Sequence, residues 1–406
     1  MEELVNEMAI ETDFLVVGGG FVGLSIAYEL ALRNPDAVIN LIEKETHIGE
    51  HASGRNSGVL HAGFYYTSDS LKARFTKEGN QAWHQFCEEH NLDINKCGKL
   101  VVAKDEEDNK TLDILIERGE ANGIELDVIS AVDAQKIEPR VKTHKRALWS
   151  PNTATVNPQQ VLKQLFSEVE KLGVKVHFDC AFINRNSDNQ VRSSKHMFKA
   201  KHLINCAGLY ADKVAKFYDQ GSNYHLLPFK GVYLYAGDNA PKLATNIYPV
   251  PDLKNPFLGV HYTLTVDGTM KLGPSAIPAF WPEQYEYLEN FKIGEFLQTS
   301  GRHLQLMAGS DSTFRKLAVE ELKKYSKSYM VKQAQQLADG IEMSHFSHWG
   351  KPGIRAQLIN KTTQKLEMDF IVEGDKESTH VLNAVSPAFT CALPFAKYVV
   401  DKIQLS

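Results

Sequence analysis

A glycine-rich turn near the start of the chain constrains the fold more than any other feature. Gly18-x-Gly20-x-x-Gly23 follows a short apolar run, 14–17, and precedes a segment with helical periodicity that ends near Asn34. This is the spacing of a strand-turn-helix unit that binds a dinucleotide. Its glycines allow a tight turn, let the backbone approach a pyrophosphate and let helix and strand pack closely.

An acidic residue follows at the position that such a unit requires. Residues 38–42 form a second apolar run, and Glu43 ends it twenty residues after Gly23. A carboxylate at this place accepts hydrogen bonds from an adenosine ribose. A glycine turn that only joins packed elements would explain the glycines but not Glu43. The pattern therefore predicts a bound adenine dinucleotide, and the motif alone leaves NAD and FAD open.

The pattern of apolar residues changes along the chain. In the N-terminal half, strands and helices alternate, which predicts a parallel sheet. Residues 229–273 show alternating strand patterns between Pro, Asp and Gly turns, which predicts an antiparallel sheet. Residues 284–337 have a charged helical pattern. Short strands near 369–382 and a final helix at 390–403 complete the predicted α/β chain.

Composition excludes several classes of protein. A length of 406 residues allows two domains, and a net charge of −5 gives no reason to expect nucleic acid as a partner. The five cysteines show no CxxC spacing, so neither a zinc site nor a dithiol redox motif is predicted, no metal is expected, and a reducing compartment is indicated. The first residues, MEELVNEMAIETD, do not resemble a secretion signal, and no stretch approaches the ~20 apolar residues of a membrane span. We expect a cytoplasmic protein, with peripheral contact to the inner face of a membrane left open.

Ten segments in order carry a resemblance to a known family. They are SGRNSGVLHAGFYY, SLKARF, CGKLVVA, HLINCAGLYAD, PFKGVYL, IYPVPD, PFLGVHYT, LGPSA, GIRAQ and NAVSPAFT. Together they resemble the L-2-hydroxyglutarate oxidase/dehydrogenase family, within the superfamily of D-amino acid oxidase and glycerol-3-phosphate dehydrogenase. The resemblance spans nearly the whole chain and implies FAD rather than NAD.

The resemblance also implies the architecture. We expect an α/β protein with a discontinuous, Rossmann-like FAD-binding domain and an α+β substrate domain built on an antiparallel sheet. The FAD-binding domain is expected at 1–95, 145–225 and 345–406. The substrate domain is expected at 96–144 and 226–344.

Residues from four parts of the chain are expected to contact the cofactor. They are Gly18, Gly20, Gly23, Glu43, Lys44, Ser53, Arg55, Asn56, Ser57, Gly58, Ala207, Gly208, Ser386, Pro387, Ala388 and Phe389. The small residues of the loop after Glu43 would pass under the pyrophosphate. The last helix would begin beside the flavin, and its dipole would stabilise the anionic reduced ring.

Oxidation of a 2-hydroxy acid requires a base for the hydroxyl proton and a cation for the carboxylate. His61 is the first candidate for the base, and a structural histidine that binds flavin or backbone is the alternative. His261 is the rival base, unless it lies on the solvated face of its strand. Arg355 is the best candidate for the carboxylate, because guanidinium matches a carboxylate with two parallel hydrogen bonds. A surface arginine is the alternative.

A dicarboxylate needs a second polar site, for which Lys230, Arg55, Tyr65 and Tyr233 are candidates. The chain departs from the family pattern at three places. It has GRNSG where the family reads GHNSG, FKGVY where it reads FRGEY, and NAVSPAFT where it reads NAPSPAAT. The loss of an acid at Val232 and the added bulk of Phe389 bear on the substrate pocket.

The sequence therefore predicts an FAD-dependent oxidoreductase that converts a small L-2-hydroxy acid to the 2-oxo acid. L-2-hydroxyglutarate is the leading candidate for the substrate. Glycerol 3-phosphate, a D-amino acid or another 2-hydroxy acid are alternative substrates. A non-catalytic flavoprotein is the alternative of a different class. Oxygen, a quinone and a carrier protein are left open as electron acceptors.

Overall fold

The structure, a computed structural model, describes residues 9–186, 190–253, 258–309 and 312–403. The helices within these ranges are α1 Phe21–Arg33, α2 Leu71–Glu89, α3 Glu106–Ala121, α4 Ala131–Ile137, α5 Pro158–Lys171, α6 Ala211–Ala215, α7 Ile293–Gly309, α8 Ser312–Lys323, α9 Lys327–Ala334 and α10 Ala388–Asp401. None of these described helices combines the length and the hydropathy needed to cross a bilayer.

The strands are short and numerous. They are β1 Ile10–Val17, β2 Ile39–Ile42, β3 Val59–Leu60, β4 Ile94–Asn95, β5 Lys99–Val102, β6 Asp127–Ser130, β7 Arg146–Ser150, β8 Ala154–Val156, β9 Lys175–His177, β10 Phe182–Arg185, β11 Gln190–Ser193, β12 Met197–Asn205, β13 Tyr224–Gly231, β14 Leu234–Ala236, β15 Asn246–Pro249, β16 His261–Leu264, β17 Met270–Gly273, β18 Ile277–Pro278, β19 Phe346–Trp349, β20 Gly353–Asn360, β21 Lys365–Leu366, β22 Ile371–Gly374 and β23 Ser378–Asn383. This mixture of helices, parallel strands and antiparallel strands confirms the predicted fold class.

The chain forms two compact units. The first unit comprises the described residues of 1–54, 159–227 and 356–406, and the second unit comprises those of 55–158 and 228–355. Each unit therefore draws on segments that are distant in sequence. Two of the divisions fall inside the strands β13 and β20.

The first unit is organised around β1. This strand pairs in parallel with β2 on one side and with β12 on the other, and β9 and β23 extend the parallel arrangement. Residues 14–17 are all buried, as expected for a strand that is covered on both faces of a parallel sheet. Helix α1 leaves the end of β1 and packs against α10.

The second unit contains an eight-stranded sheet in the order β19-β14-β17-β16-β15-β5-β7-β6. Its pairs are antiparallel except for β15 with β5. The prediction of an antiparallel sheet over 229–273 agrees with the pairs among β14, β15, β16 and β17.

One face of this sheet forms an apolar core. Alternate residues of a strand point to opposite faces, so the pairing register assigns each side chain to a face. The buried residues on the apolar face are Leu100, Val102, Ala147, Leu234, Ile247, Tyr262, Leu264, Met270 and Leu272. Residues between them in sequence point to the opposite face, where polar and aromatic side chains collect.

The predicted helical stretch 284–337 is shorter in the structure. The first helix of this part begins only at Ile293, because the preceding segment is closed into turns. The Trp281 indole N–H donates to the Glu289 carbonyl at 2.7 Å, and Tyr287 and Asn290 have φ values of 28° and 51°. Such positive φ values are incompatible with a continuous right-handed helix.

The limits of the compact units differ from the expected domain limits. Residues 55–95, 145–158 and 345–355 belong to the second unit, whereas the expectation placed them with the FAD-binding segments. Strand pairing explains the first two differences, because β8 pairs with β3 and β4, and β7 pairs with β5. These short non-local pairs have no periodic signal in the sequence.

Candidate active site

The glycine turn of the first unit has the close contacts that its motif predicts. Gly18 has a φ of 107°, and a Cβ atom there would lie 2.5 Å from the carbonyl oxygen of Cys206. At Gly23 a Cβ would lie 2.0 Å from the carbonyl oxygen of Gly18, and at Gly20 it would lie 2.7 Å from Ser53 Oγ. Side chains at these positions would force the turn apart.

Glu43 holds this turn from the next strand. Its carboxylate is buried, and it accepts hydrogen bonds from the backbone N–H groups of Gly19 at 2.8 Å and of Glu45 at 3.0 Å. Lys44 forms an ion pair with Glu45, and its ammonium lies 5.7 Å from the centre of the Tyr210 ring. The acid and the turn thus lie together, as the βαβ pattern requires.

Ser53 meets the first turn of α1. Its hydroxyl accepts a hydrogen bond from the Phe21 N–H at 2.9 Å, which supplies a partner for one of the N–H groups that a helix leaves unpaired at its start. Gly20 is the N-cap and has no side chain to do this. The serine loop therefore lies beside the positive end of the helix, where a pyrophosphate would bind.

The rest of this loop is fixed within the second unit. Asn56 Oδ1 accepts from the Gly58 N–H at 2.9 Å, and Lys271 Nζ donates to the Ser57 carbonyl at 2.8 Å. Gly58 has a φ of 73°, and a Cβ there would lie 2.2 Å from the Val156 carbonyl oxygen.

Two further predicted cofactor segments lie in the first unit. Gly208 follows β12 with a φ of 53°, and a Cβ there would meet no described atom within 4 Å. The Ala207 N–H just before it donates to Asn205 Oδ1 at 3.1 Å. The chain therefore leaves room at the end of β12 for a molecule to approach the backbone closely.

Helix α10 begins at Ala388, two residues before the predicted start at 390, with Pro387 as its N-cap. Phe389 packs against Phe21 at the start of α1, with 4.2 Å between the ring centroids. The added bulk of Phe389 is thus directed to the helix that follows the glycine turn. The expectation was that the bulk of Phe389 would alter the substrate pocket, and its observed partner is instead Phe21.

These contacts fit FAD. The narrow glycine turn, the acid that holds it, the serine at the helix N-terminus and the open space at Gly208 together form a cradle that side chains would fill. Such a cradle admits the pyrophosphate and ribose of a dinucleotide.

A second group of residues, which includes the predicted His261, gathers on the polar face of the eight-stranded sheet. The pairing register places Lys99, Asn246, Tyr248, His261, Thr263, Lys271 and Tyr235 on this face. All of them except Tyr235 are buried. His61 follows directly after β3 and shares electrostatic interactions with Lys99 and His261. The two candidate bases are therefore brought together.

Burial keeps both histidines neutral. Desolvation, with a smaller contribution from Lys99, lowers the pKa of His61 to about 3. Desolvation also lowers the pKa of His261 well below its usual value. The His261 ring is stacked on Tyr248 with 3.7 Å between centroids, and its Nδ1–H donates to the Gly259 carbonyl at 2.7 Å. His261 lies at the buried face of its strand and not at a solvated one.

Arg355 lies in β20 and is the last residue of the segment 228–355 of the second unit. Its Nη1 donates to the Ser275 carbonyl at 2.9 Å, which is the guanidinium's one hydrogen bond to a described residue. Gly231 makes room for it, because a Cβ there would lie 2.9 Å from Nη1. Burial lowers the pKa of Arg355, and Tyr233 and Glu321 act in the opposite direction. The remaining donors suit a carboxylate.

The other predicted polar groups fall into two sets. Lys230 and Arg55 both meet Tyr285: Lys230 Nζ donates to the Tyr285 carbonyl at 3.1 Å, and the Arg55 guanidinium lies 4.1 Å from the centre of its ring. Tyr65 is buried beside Lys99, and Tyr233 is buried close to Arg355. Burial raises the pKa of Tyr233 to about 12 and that of Tyr65 well above its usual value.

Sequence reasoning missed Lys99, Tyr248 and Lys271 of this cluster, among others, and it also missed Tyr285. The first three occupy strands whose pairing register places them on the face that carries His261, and a single lysine in the apolar run KLVV does not report that register. Tyr285 lies in an irregular turn and has no periodic signal.

Comparison with known proteins agrees with this architecture. Residues 13–402 match the family described as FAD dependent oxidoreductase (DAO). The chain belongs to this family. Its cofactor is accordingly FAD, and the cradle of the first unit is the part of the chain that fits it.

Its relatives include proteins named L-2-hydroxyglutarate dehydrogenase. A mitochondrial one from Caenorhabditis briggsae is 36% identical over 410 residues, which cover 96% of this chain and 92% of the relative. One from Salmonella houtenae is 32% identical over 405 residues, covering 97% and 93%. The resemblance drawn from the ten segments is confirmed.

Solved structures show the same fold at lower identity. L-alpha-glycerophosphate oxidase from Mycoplasma pneumoniae, with FAD bound, has a TM-score of 0.77 at 22% identity and covers 96% of this chain and 94% of its own. Glycine oxidase from Geobacillus kaustophilus has a TM-score of 0.73 at 16% identity, covering 98% and 96%.

The glycine turn generates a test of the cradle. We expect Gly23→Ala to weaken FAD binding by about tenfold or more, equivalent to about 1.4 kcal/mol, because the new Cβ would push the turn away from the pyrophosphate. Fluorescence titration of the apoprotein with FAD measures this. Gly301→Ala is the matched control, since a Cβ there meets no described atom within 4 Å. Equal FAD affinity of the two variants would contradict the cradle.

Proposed function

We propose that this FAD-dependent oxidoreductase converts L-2-hydroxyglutarate to 2-oxoglutarate. The observation that carries the proposal is the buried cluster in which one guanidinium and two neutral histidines lie among tyrosines of the second unit. This is the equipment for holding a carboxylate and removing a hydroxyl proton. The names of the relatives select L-2-hydroxyglutarate among the small 2-hydroxy acids.

The proposed holder of the cofactor is the cradle of the first unit, with Gly18, Gly20, Gly23, Glu43 and Ser53 as its central residues. When bound, FAD supplies the acceptor for the hydride of the substrate α-carbon. The residues of the chain then have three tasks: to orient the substrate, to take its hydroxyl proton and to keep water away.

Arg355 is the proposed partner of the substrate carboxylate next to the reacting carbon. Its guanidinium is held by the Ser275 carbonyl, so its orientation is set before the substrate arrives. A planar fork fixed in this way restricts the rotation of the bound carboxylate. Together with the base and the bound cofactor, it would select the enantiomer that presents its C–H bond for hydride transfer.

His261 is the favoured base, and His61 is the rival. Because a carbonyl only accepts hydrogen bonds, the contact with Gly259 places the proton of the neutral His261 ring on Nδ1. Nε2 then carries a lone pair that can accept the hydroxyl proton. Stacking on Tyr248 fixes the plane of the ring.

The second carboxylate of a dicarboxylate is proposed to bind near Lys230 and Arg55. Both cations meet Tyr285, and Lys230 is buried, which lowers its pKa, while Glu286 and Glu289 act in the opposite direction. One cation at the ring of Tyr285 and one at its backbone carbonyl supply the charge that a second carboxylate needs, and Tyr65 and Tyr233 stay candidates for further polar contacts.

Anaerobic mixing with a panel of substrates tests the proposed function. We expect L-2-hydroxyglutarate to bleach the visible absorbance of the oxidised flavin and its D enantiomer to leave it unchanged. Bleaching by glycerol 3-phosphate or a D-amino acid alone would replace the substrate. Bleaching by no member of the panel would favour the non-catalytic alternative. Reoxidation by oxygen, a quinone or a carrier protein then identifies the acceptor.

Substitution of the arginine tests the carboxylate contact. We expect Arg355→Met to lower kcat/KM for L-2-hydroxyglutarate by about two orders of magnitude, because removing one partner of a buried charge pair costs about 2–5 kcal/mol. Arg355→Lys keeps the charge but loses the fork, so it should recover only part of the activity. Arg74→Met, at an exposed site on α2, is the matched control. An unchanged kcat/KM would remove Arg355 from the site.

Paired substitutions of the histidines identify the base. We expect His261→Asn to lower kcat by about 10²–10⁴-fold, the usual contribution of a general base, and His61→Asn to have the smaller effect. Single-turnover flavin reduction measures the chemical step directly. A larger loss in His61→Asn would transfer the assignment to His61.

A further inference from the structure

Lys99 is the most unusual buried group outside the roles assigned above. It is the first residue of β5, it is 0% exposed, and its Nζ has no hydrogen-bond partner among the described residues. Lysine is seldom buried completely unless a partner neutralises it. A side chain in this position therefore calls for a functional explanation.

Three aromatic rings surround the Lys99 ammonium. Its Nζ lies 4.6 Å from the centres of Phe64 and of Tyr65 and 5.0 Å from the centre of Tyr248. Ring faces attract a cation, but much less strongly than a carboxylate does in the same surroundings. The cage therefore accepts both a charged and a neutral amine. Burial lowers the pKa of Lys99 to about 7, which makes both forms available near neutral pH.

The same lysine acts on both candidate bases. Its charge contributes to lowering the pKa of His61 and of His261. The titratable groups around it come from every neighbouring element. They are His61 and Tyr65 after β3, Cys97 before β5, Tyr248 on β15 and His261 on β16, and Lys324, directly after α8, also acts on His261. None of these neighbours is a carboxylate.

We propose that Lys99 is a positioning residue that controls proton removal: its neutral amine permits a neighbouring histidine to take the substrate proton, and its ammonium opposes it. The inference rests on the proposed function, because it needs a hydroxyl proton to be removed. It adds a residue that touches neither the substrate nor the cofactor and acts through the histidine.

The step balances without any further reactant. The substrate O–H bond breaks, and the proton forms a new N–H bond at the histidine Nε2. The hydride and its electron pair leave the α-carbon for FAD, as above. The histidine thereby becomes a cation inside a buried cluster. A second buried cation at Lys99 would repel it strongly in these low-dielectric surroundings, whereas a neutral amine would not.

The pH dependence of kcat/KM tests this control. In the wild type we expect kcat/KM to rise with pH through a transition near the pKa of Lys99, about 7. Lys99→Met keeps an unbranched side chain that is one atom shorter and has no charge, so this transition should disappear. The quantity to compare is kcat/KM at about pH 6 divided by kcat/KM at about pH 8.5. This ratio should be about tenfold larger in Lys99→Met than in the wild type. Lys99→Arg stays charged and should be slow throughout.

The dependence of thermal stability on pH reports the protonation of Lys99 without any substrate. In the folded holoenzyme the pKa of Lys99 lies below its unfolded value of about 10.4, so the unfolded chain binds the extra proton first as the pH falls. The wild type should therefore lose thermal stability relative to Lys99→Met between about pH 10 and about pH 7, and the difference should stay constant below that.

Lys72→Met is the matched control, because Lys72 is another buried lysine of the second unit and its replacement should leave the transition in place. If Lys99→Met does not fold, Phe64→Leu serves as the second variant. It keeps the amine but removes one ring of the cage, so the transition should move to lower pH.

The outcomes separate the two proposals. Failure of every substrate to bleach the flavin overturns the proposed function. An active Lys99→Met enzyme that keeps the wild-type transition overturns the role of Lys99 alone. A stability difference that is independent of pH overturns it as well, and so does an unmoved transition in Phe64→Leu.

Discussion

Side chains alternate between the two faces of a β-sheet, and the second unit depends on this alternation. One face of the eight-stranded sheet packs Leu100, Ile247 and Leu272 into an apolar core, while the residues between them carry Lys99, Tyr248 and Lys271 to the other face. A shift of one residue in register would exchange the two sets, so the apolar core fixes the polar cluster in place. Folding and site geometry are thus consequences of the same pairing.

The cluster also shows how charge is tolerated in a buried place. Burial favours the neutral forms of the histidines, and it lowers the pKa of Lys271 to about 8, while the Ser57 carbonyl accepts a hydrogen bond from that lysine. An oxidation that releases a proton must change the charge of such a cluster by one. The low local dielectric makes that change sensitive to every neighbour. A compact arrangement of titratable groups is therefore well suited to proton removal.

The sequence predicted those parts of the molecule that have a local pattern. The βαβ unit, the acid at Glu43 and the start of α10 follow from spacing, and the motif order indicated the family and FAD. Contacts between distant segments were out of reach, because no local pattern reports the pairing of β3, β4 and β8 or the turn that carries Tyr285. Lys99 is an intermediate case: its segment CGKLVVA belongs to the family resemblance, but a single lysine in an apolar run was not assigned to the buried face.

The Tyr285 turn gives the departure at Arg55 a wider meaning. Arg55 replaces the histidine of the family pattern, and its guanidinium lies over the ring of Tyr285. The backbone carbonyl of Tyr285 accepts a hydrogen bond from Lys230. A flat aromatic face supports a guanidinium better than it supports most other side chains. Positions 55, 230 and 285 should therefore vary together in evolution. Orthologues with an arginine at position 55 should have an aromatic residue at position 285.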